Sequence, residues 1–244
     1  MTQSLGAHAW GALAAALALA GAPGGAAPLA NPAPPPIPLP EPAGQTLLLE
    51  ATARRDHGPL AQWFETQANL AYCGVASAVM ALNSLAIPAP AAPGYGPYRF
   101  WTQSSAFAIP GSGGFVRPER VAREGMTLAQ LQGWLAQRSD LVVERFHGDQ
   151  LSMGQWRALL QRSLNDPEDR LLVNYQRSAL GQPGGGHISP LAAYDAASDR
   201  VLILDVARYR YPAVWVRAED LLQAMRTVDN SSGRSRGLVV VRRR

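Results

Sequence analysis

Apolar and polar positions fall into three regimes along the chain. From Ala9 to Ala20 the sequence is apolar without a period, and from Gly21 to Gly44 Pro and Ala dominate, including Pro34, Pro35 and Pro36. From about Gln45 onward, apolar residues recur with helix and strand periods. Val75, Val79, Leu82 and Ala86 form one stripe with Ala76, Met80 and Asn83 beside it, which predicts a central helix from Cys73 to about Leu85. Pro88 and Pro90 end it, and a Pro/Gly-rich surface excursion follows through Pro97. Thr127 is placed to cap a helix with Leu128, Leu131, Trp134 and Leu135 on one face, and Ser152 another with Trp156, Leu159, Leu160 and Leu164. Tyr98 to Trp101 and Phe115 are expected to pack beneath loops.

Strands are predicted at Gln45–Leu49, Leu141–Phe146, Arg170–Gln176, His187–Tyr194, Arg200–Val206 and Gly237–Val241, with a short helix or turn at Pro59–Phe64 and a helix at Ala218–Val228. Asp195 to Asp199 reads as a hairpin connection. Pro190 should leave one side of its strand unpaired or mark a bulge. Helices first and sheet afterwards is the order of an α+β fold. The expected organisation is a signal segment over 1–27, a Pro/Ala-rich linker over 28–44, and one catalytic domain over 45–244.

Composition changes this picture in two ways. All 22 basic residues are Arg, and apart from Arg242, Arg243 and Arg244 they are scattered along the chain, so nucleic acid is not an expected partner. The apolar run before the linker is too short for a permanent membrane span, and small residues around Ala20, Ala22 and Ala27 suit cleavage, although no Arg precedes the run. Export, to a periplasm, is the expectation. Cys73 is the only cysteine, so an internal disulfide is excluded and its thiol is worth attention. No His, Cys, Asp and Glu spacing suits zinc and no phosphate-binding loop is visible, so neither a metal nor another cofactor is expected.

Cys73 lies where a polar loop becomes an apolar helix, a place that combines the helix's partial positive charge with access to substrate. A small buried hydrophobe is the plain alternative. In the predicted hairpin His187, preceded by Gly184, Gly185 and Gly186, comes close to facing Asp205. His8, His57 and His147 have weaker contexts. The expected chemistry is attack by Cys73 on a carbonyl, proton transfer by His187, and orientation of the imidazole by Asp205. Gln67, six residues before Cys73, would join the Cys73 backbone N–H as an oxyanion donor.

Several stretches resemble the catalytic domain of phytochelatin synthases: Gln67 with Tyr72-Cys73-Gly74-Val75-Ala76, Met80 to Leu85, Val173-Asn174-Tyr175, Gly186-His187-Ile188-Ser189-Pro190, Ile203 to Pro212, and Val214-Trp215-Val216. The resemblance implies a papain-like fold, with a helical part carrying the nucleophile packed on an antiparallel sheet carrying His and Asp. It also implies acyl transfer from glutathione, with Cys73, His187 and Asp205 as triad and Gln67 as oxyanion residue. Asn174, Arg177, Gly186 and Arg236 are then expected around the γ-glutamylcysteine moiety. Plant and fungal members carry a Cys-rich C-terminal domain, and the single cysteine here fits the short bacterial type. For that type the resemblance implies mainly hydrolysis of glutathione to γ-glutamylcysteine and glycine, with transfer to a second glutathione as the other outcome. A metal ion enters this expectation only as a glutathione thiolate, and a homodimer is one option for assembly. A peptidase of double-glycine leaders, or a non-catalytic anion-binding module, are the alternatives.

Overall fold

The computed structural model describes residues 35–244, so the expected signal segment lies outside the described residues. In chain order the elements are β1 (Ile37–Pro38), α1 (Pro42–Glu50), α2 (His57–Gln62), α3 (Cys73–Ser84), α4 (Pro118–Glu124), α5 (Leu128–Leu135) and β2 (Leu141–His147). There follow α6 (Met153–Ser163), β3 (Asp169–Gln176), β4 (Gly186–Asp195), β5 (Arg200–Ile203), β6 (Val214–Arg217), α7 (Ala218–Arg226), β7 (Val228–Asp229), β8 (Arg234–Ser235) and β9 (Gly237–Arg243). Among the described residues no helix is long and apolar enough to cross a membrane.

Seven strands form one sheet in the order β1-β6-β5-β4-β3-β9-β2, with every neighbouring pair antiparallel. Its two faces follow directly from period-two alternation. Leu238 and Val240 of β9 and Leu171, Val173 and Tyr175 of β3 join a core with Trp156 of α6 and Leu221 and Met225 of α7. Val239, Val241 and Leu172, one position over, join Val75, Val79 and Leu82 of α3 and Trp134 of α5. Helices therefore cover both faces, which makes β3 buried along nearly its whole length. The capped helices form where expected: Thr127 accepts from Gln130 N and Ser152 from Gln155 N, each completing a capping box.

The chain's first elements differ from the expectation. Gln45–Leu49 is part of helix α1, and β1 belongs to the sheet, so the linker assigned to 28–44 gives way to folded chain by Ile37. Pro42 at the start of α1 has the φ a first turn needs and lacks only an N–H the helix would leave unbonded. Gly44 is buried so closely on the preceding turn that a Cβ would lie 2.1 Å from Pro38 O. Its carbonyl accepts from the buried Trp215 indole at 3.0 Å, and Ile37 pairs with Trp215 itself. A chain starting at residue 45 should consequently unfold at lower denaturant than one starting at residue 35, by roughly 3 kcal/mol. Equal unfolding midpoints for the two would show that β1 and α1 contribute nothing.

The β4–β5 ladder is shaped by Pro190. Its carbonyl accepts from Leu204 N at 3.0 Å, so the N–H it lacks is missing from the same side, and the register shifts between Leu191 and Ala193. Pairing stops at Ile203 instead of running to Val206, and the chain turns so that Asp205 faces inward. Strand β6 and helix α4 were not anticipated. Of the aromatics expected beneath loops, Trp101 is buried and donates to Ile87 O at 3.1 Å, whereas Tyr98 is exposed.

Candidate active site

Helix α3 has no side-chain cap: Tyr72 occupies its N-cap position and Cys73 begins it. Its first-turn N–H groups are thereby left for something outside the helix. Gly74 lets α3 approach β4, since a Cβ there would meet Met126 Sδ at 2.6 Å and Ile188 Cδ1 at 3.2 Å. Ser77 Oγ, buried one turn on, lies 2.7 Å from Cys73 O and 3.1 Å from Ile188 O, tying nucleophile helix to sheet. At the far end of α3, buried Arg170 of β3 bonds Ser84 Oγ and pairs with Asp56 at 2.9 Å.

The structure brings Cys73, His187 and Asp205 together. His187 Nε2 is 2.9 Å from Asp205 Oδ1, and His187 also shares a hydrogen bond with the Cys73 thiol. Tyr175 meets the imidazole edge-on, with centroids 5.8 Å apart. Asp205 is fully buried, and its Oδ1 also accepts from Ala207 N at 2.8 Å. Burial pushes the Cys73 thiol up, but the hydrogen bond and charge of His187, with backbone N–H groups of Ile188 and Gly74, hold it below an ordinary thiol. Burial pushes His187 down, yet Asp205 and Cys73 hold it above an ordinary histidine. Burial also raises Asp205, and His187 and Arg177 more than reverse this, to well below the usual carboxylate range. Opposite shifts on Cys73 and His187 are what a thiolate–imidazolium pair requires.

Gln67 is buried beside this group, its N–H bonded to Val206 O. Its Nε2 donates to Asn69 O at 2.7 Å and to the Tyr209 hydroxyl at 3.1 Å. With Leu70, Gly184, Gly186, Tyr209 and Arg210 it lines a hollow of ≈ 240 Å³ on one side of His187. On the other side a cleft of ≈ 330 Å³ is lined by Cys73, His187, Met126, Asn174, Asp229 and Arg236 among others. Arg236 Nη1 donates to Asn174 Oδ1 at 3.1 Å, while its Nε has no partner, and Arg236 makes no ion pair among the described residues.

Arg177, expected around the substrate, is 4% exposed and pairs with Asp205; it is absent from the cleft beside Cys73 but lines the hollow with Gln67 and His187. The glycines before His187, read in sequence as room for an approaching ligand, seat two arginines. A Cβ at Gly186 would come within 2.2 Å of Arg236 Nη1, and one at Gly184, where φ is +136°, within 3.0 Å of Arg177 Cδ. Asp229, which sequence reading missed, is buried and caps Ser231 N at 3.1 Å. Its run Asp229-Asn230-Ser231-Ser232-Gly233 reads as a turn, and only the fold carries it to the cleft. His147, weak as a catalytic candidate, bonds Ser235 O through Nδ1 at 2.6 Å and so fixes the strand leading into Arg236.

A family model described as phytochelatin synthase matches residues 31–238, nearly the whole chain. The chain belongs to the phytochelatin synthase family. It is 38% identical over 186 residues to glutathione gamma-glutamylcysteinyltransferase 1 of Triticum aestivum, covering 76% of this chain and 35% of that protein. It is 34% identical over 185 residues to glutathione gamma-glutamylcysteinyltransferase 2 of Arabidopsis thaliana, covering 75% and 39%. The corresponding enzyme of Schizosaccharomyces pombe is 28% identical over 186 residues, covering 75% and 42%. The chain thus spans well under half the length of these relatives. As in the papain-like fold of the phytochelatin synthase family, a helical part presents the cysteine to an antiparallel sheet bearing His187 and Asp205.

Proposed function

We propose that this phytochelatin synthase family member transfers the γ-glutamylcysteinyl group of glutathione through a thioester on Cys73. The Cys73 thiolate attacks the carbonyl of the Cys–Gly peptide bond, and the resulting oxyanion is met by the Cys73 N–H and, once turned from Asn69 O, the Gln67 amide. The C–N bond breaks as His187 gives its proton to the departing glycine amine. In the second step His187 takes a proton from water, or from the amine of a second glutathione, which attacks the thioester and releases the thiol. Hydrolysis to γ-glutamylcysteine and glycine is the main outcome in this reading. Export to a periplasm belongs to the same proposal, supported by the apolar run Ala9–Ala20.

The observation that carries the reading is the cleft's charge arrangement. Beside the thiol, in a cleft that Arg123 and Glu124 also line, lie Arg236, a cation without an ion pair among the described residues, and an anion, Asp229. Together they match the carboxylate and ammonium that a γ-glutamyl group presents at its free end. The relatives' printed name, glutathione gamma-glutamylcysteinyltransferase, supports the same substrate. In this reading a metal ion enters only as a thiolate on the substrate. A purely anion-binding module would have no use for a thiol held low by an imidazole.

Incubating the folded protein with glutathione and resolving the products by mass tests the proposal. Release of glycine with γ-glutamylcysteine, or with a glutathione extended by one γ-glutamylcysteine unit, is expected. Unchanged glutathione at micromolar protein would sink it.

A further inference from the structure

Arg177 follows β3 directly, a position from which an arginine could reach either solvent or substrate. It reaches neither. Nη2 donates to Asp205 Oδ1 at 2.9 Å, Nη1 lies 2.7 Å from Oδ2, and Nη1 also donates to Gln182 Oε1 at 2.9 Å. The guanidinium lies over the Tyr211 ring, 4.5 Å from its centroid, and 5.9 Å from that of Tyr175. Its own N–H donates to Gly185 O at 3.1 Å, and Gly184, at a positive φ open to glycine, leaves room for its stem, since a Cβ there would lie 3.0 Å from Arg177 Cδ.

The geometry points to Arg177 as a positioning residue for the reaction: its hydrogen bond to Oδ1 and ion-pair contact with Oδ2 hold the Asp205 carboxylate that orients His187 toward Cys73, and it offsets the Asp205 charge beside the thiolate. This rests on the reading of Cys73, His187 and Asp205 as the reacting group. The physical case has two parts. A carboxylate held only by His187 and the Ala207 N–H, both on Oδ1, could rotate about its last bond, whereas a guanidinium bonded to Oδ1 with its second nitrogen 2.7 Å from Oδ2 opposes that rotation by charge. The second part is electrostatic. A bare Asp205 places a negative charge behind an imidazolium whose partner is itself an anion, and like charges in a buried site oppose each other. Paired with Arg177, the carboxylate becomes close to a neutral dipole that still accepts the His187 hydrogen bond.

The groups around Asp205 are His187 from β4, Tyr175 and Arg177 from β3 and the turn after it, and Cys73 from α3 beyond His187. Arg177 is the one cation among them besides His187. Its removal should raise the pH at which the thiolate forms, because a cation favouring negative charge is lost, and should raise the imidazolium's proton affinity, because Asp205 is no longer offset.

The test compares wild type, Arg177→Ala and Arg177→Lys by steady-state glutathione turnover and by the pH dependence of iodoacetamide labelling of Cys73. Arg177→Ala should lower kcat on the order of a hundredfold, leave KM within about threefold, and move the onset of labelling upward by about one pH unit. Arg177→Lys, which restores the charge without the fork, should return the labelling onset toward wild type and recover only part of kcat. If Arg177→Ala does not fold, the KM-against-kcat split of Arg177→Lys decides. A raised KM with unchanged kcat and unchanged labelling profile, in either variant, would make Arg177 a substrate ligand and overturn the inference. A wild-type protein that neither turns over glutathione nor labels below the range of an ordinary thiol, about pH 8.5, would overturn the reading beneath it as well.

Discussion

Replacing Cys73 with Ala is expected to lower glutathione turnover by about 10⁴-fold or more while leaving the fold intact. The sulfur is the atom that would carry the acyl group, and no second thiol exists in the chain to replace it. Stability should change by roughly 1 kcal/mol or less, in either direction. The thiol packs against apolar neighbours of both α3 cores, so its loss removes some contact. Against that, a thiolate held partly buried beside His187 costs desolvation that Ala does not incur. Cys73→Ser should be equally inactive, because a hydroxyl will not give up its proton to His187 as a thiol does. Circular dichroism and unfolding midpoints for both variants check the first half of this claim, and product analysis checks the second. Residual turnover at even a tenth of the wild-type rate would remove Cys73 from the mechanism.

The second large effect concerns Arg236. Its guanidinium reaches the cleft over Gly186, is anchored by one bond to Asn174, and has no acidic partner among the described residues. A half-buried cation without a counter-ion is costly unless an anion arrives. Arg236→Ala should therefore weaken reaction with glutathione ten- to a hundredfold, the worth of a charge-assisted contact of roughly 1.5–3 kcal/mol. Arg236→Lys should restore little, since a point charge cannot reproduce a fork on a carboxylate. Iodoacetamide labelling of Cys73 should persist unchanged in both, because Arg236 does not touch the triad. If Arg236→Ala leaves glutathione kinetics unaltered, the residue is an ordinary surface charge and the substrate assignment loses its physical support.

The parts of this molecule legible in sequence are those whose determinants are local. Thr127 with Gln130 and Ser152 with Gln155 announce helix starts over three residues, and the α3 stripe is complete within thirteen. The hairpin makes the nearness of His187 and Asp205 legible, but the shifted register at Pro190 and the turn after Ile203, which bring the two side chains into contact, are not. The failures are non-local. Leu47-Leu48-Leu49 carries no period, and what makes α1 a helix is a socket for Gly44 and the indole of Trp215, 171 residues away. The same distance hid β1. Arg177 reads as any polar residue at a strand end, and its burial depends on Asp205, 28 residues on. Asp229 and Arg236 meet at the cleft only because β7 and β8 fold back on each other before β9 enters the sheet. Sequence pointed to Cys73, His187 and Asp205 as neighbours, but which arginine pairs with Asp205 and which lines the cleft beside Cys73 needed the fold.

The central claim is that glutathione is cleaved through a covalent intermediate on Cys73. Mixing the folded protein with glutathione, quenching with acid within the first turnovers and measuring the intact protein mass tests it directly. A population heavier by one γ-glutamylcysteinyl group is expected, mapped to Cys73 by peptide analysis, absent in Cys73→Ala and released by neutral hydroxylamine as a thioester should be. Glycine release at the wild-type rate with no such adduct on Cys73 at any quench time would contradict it.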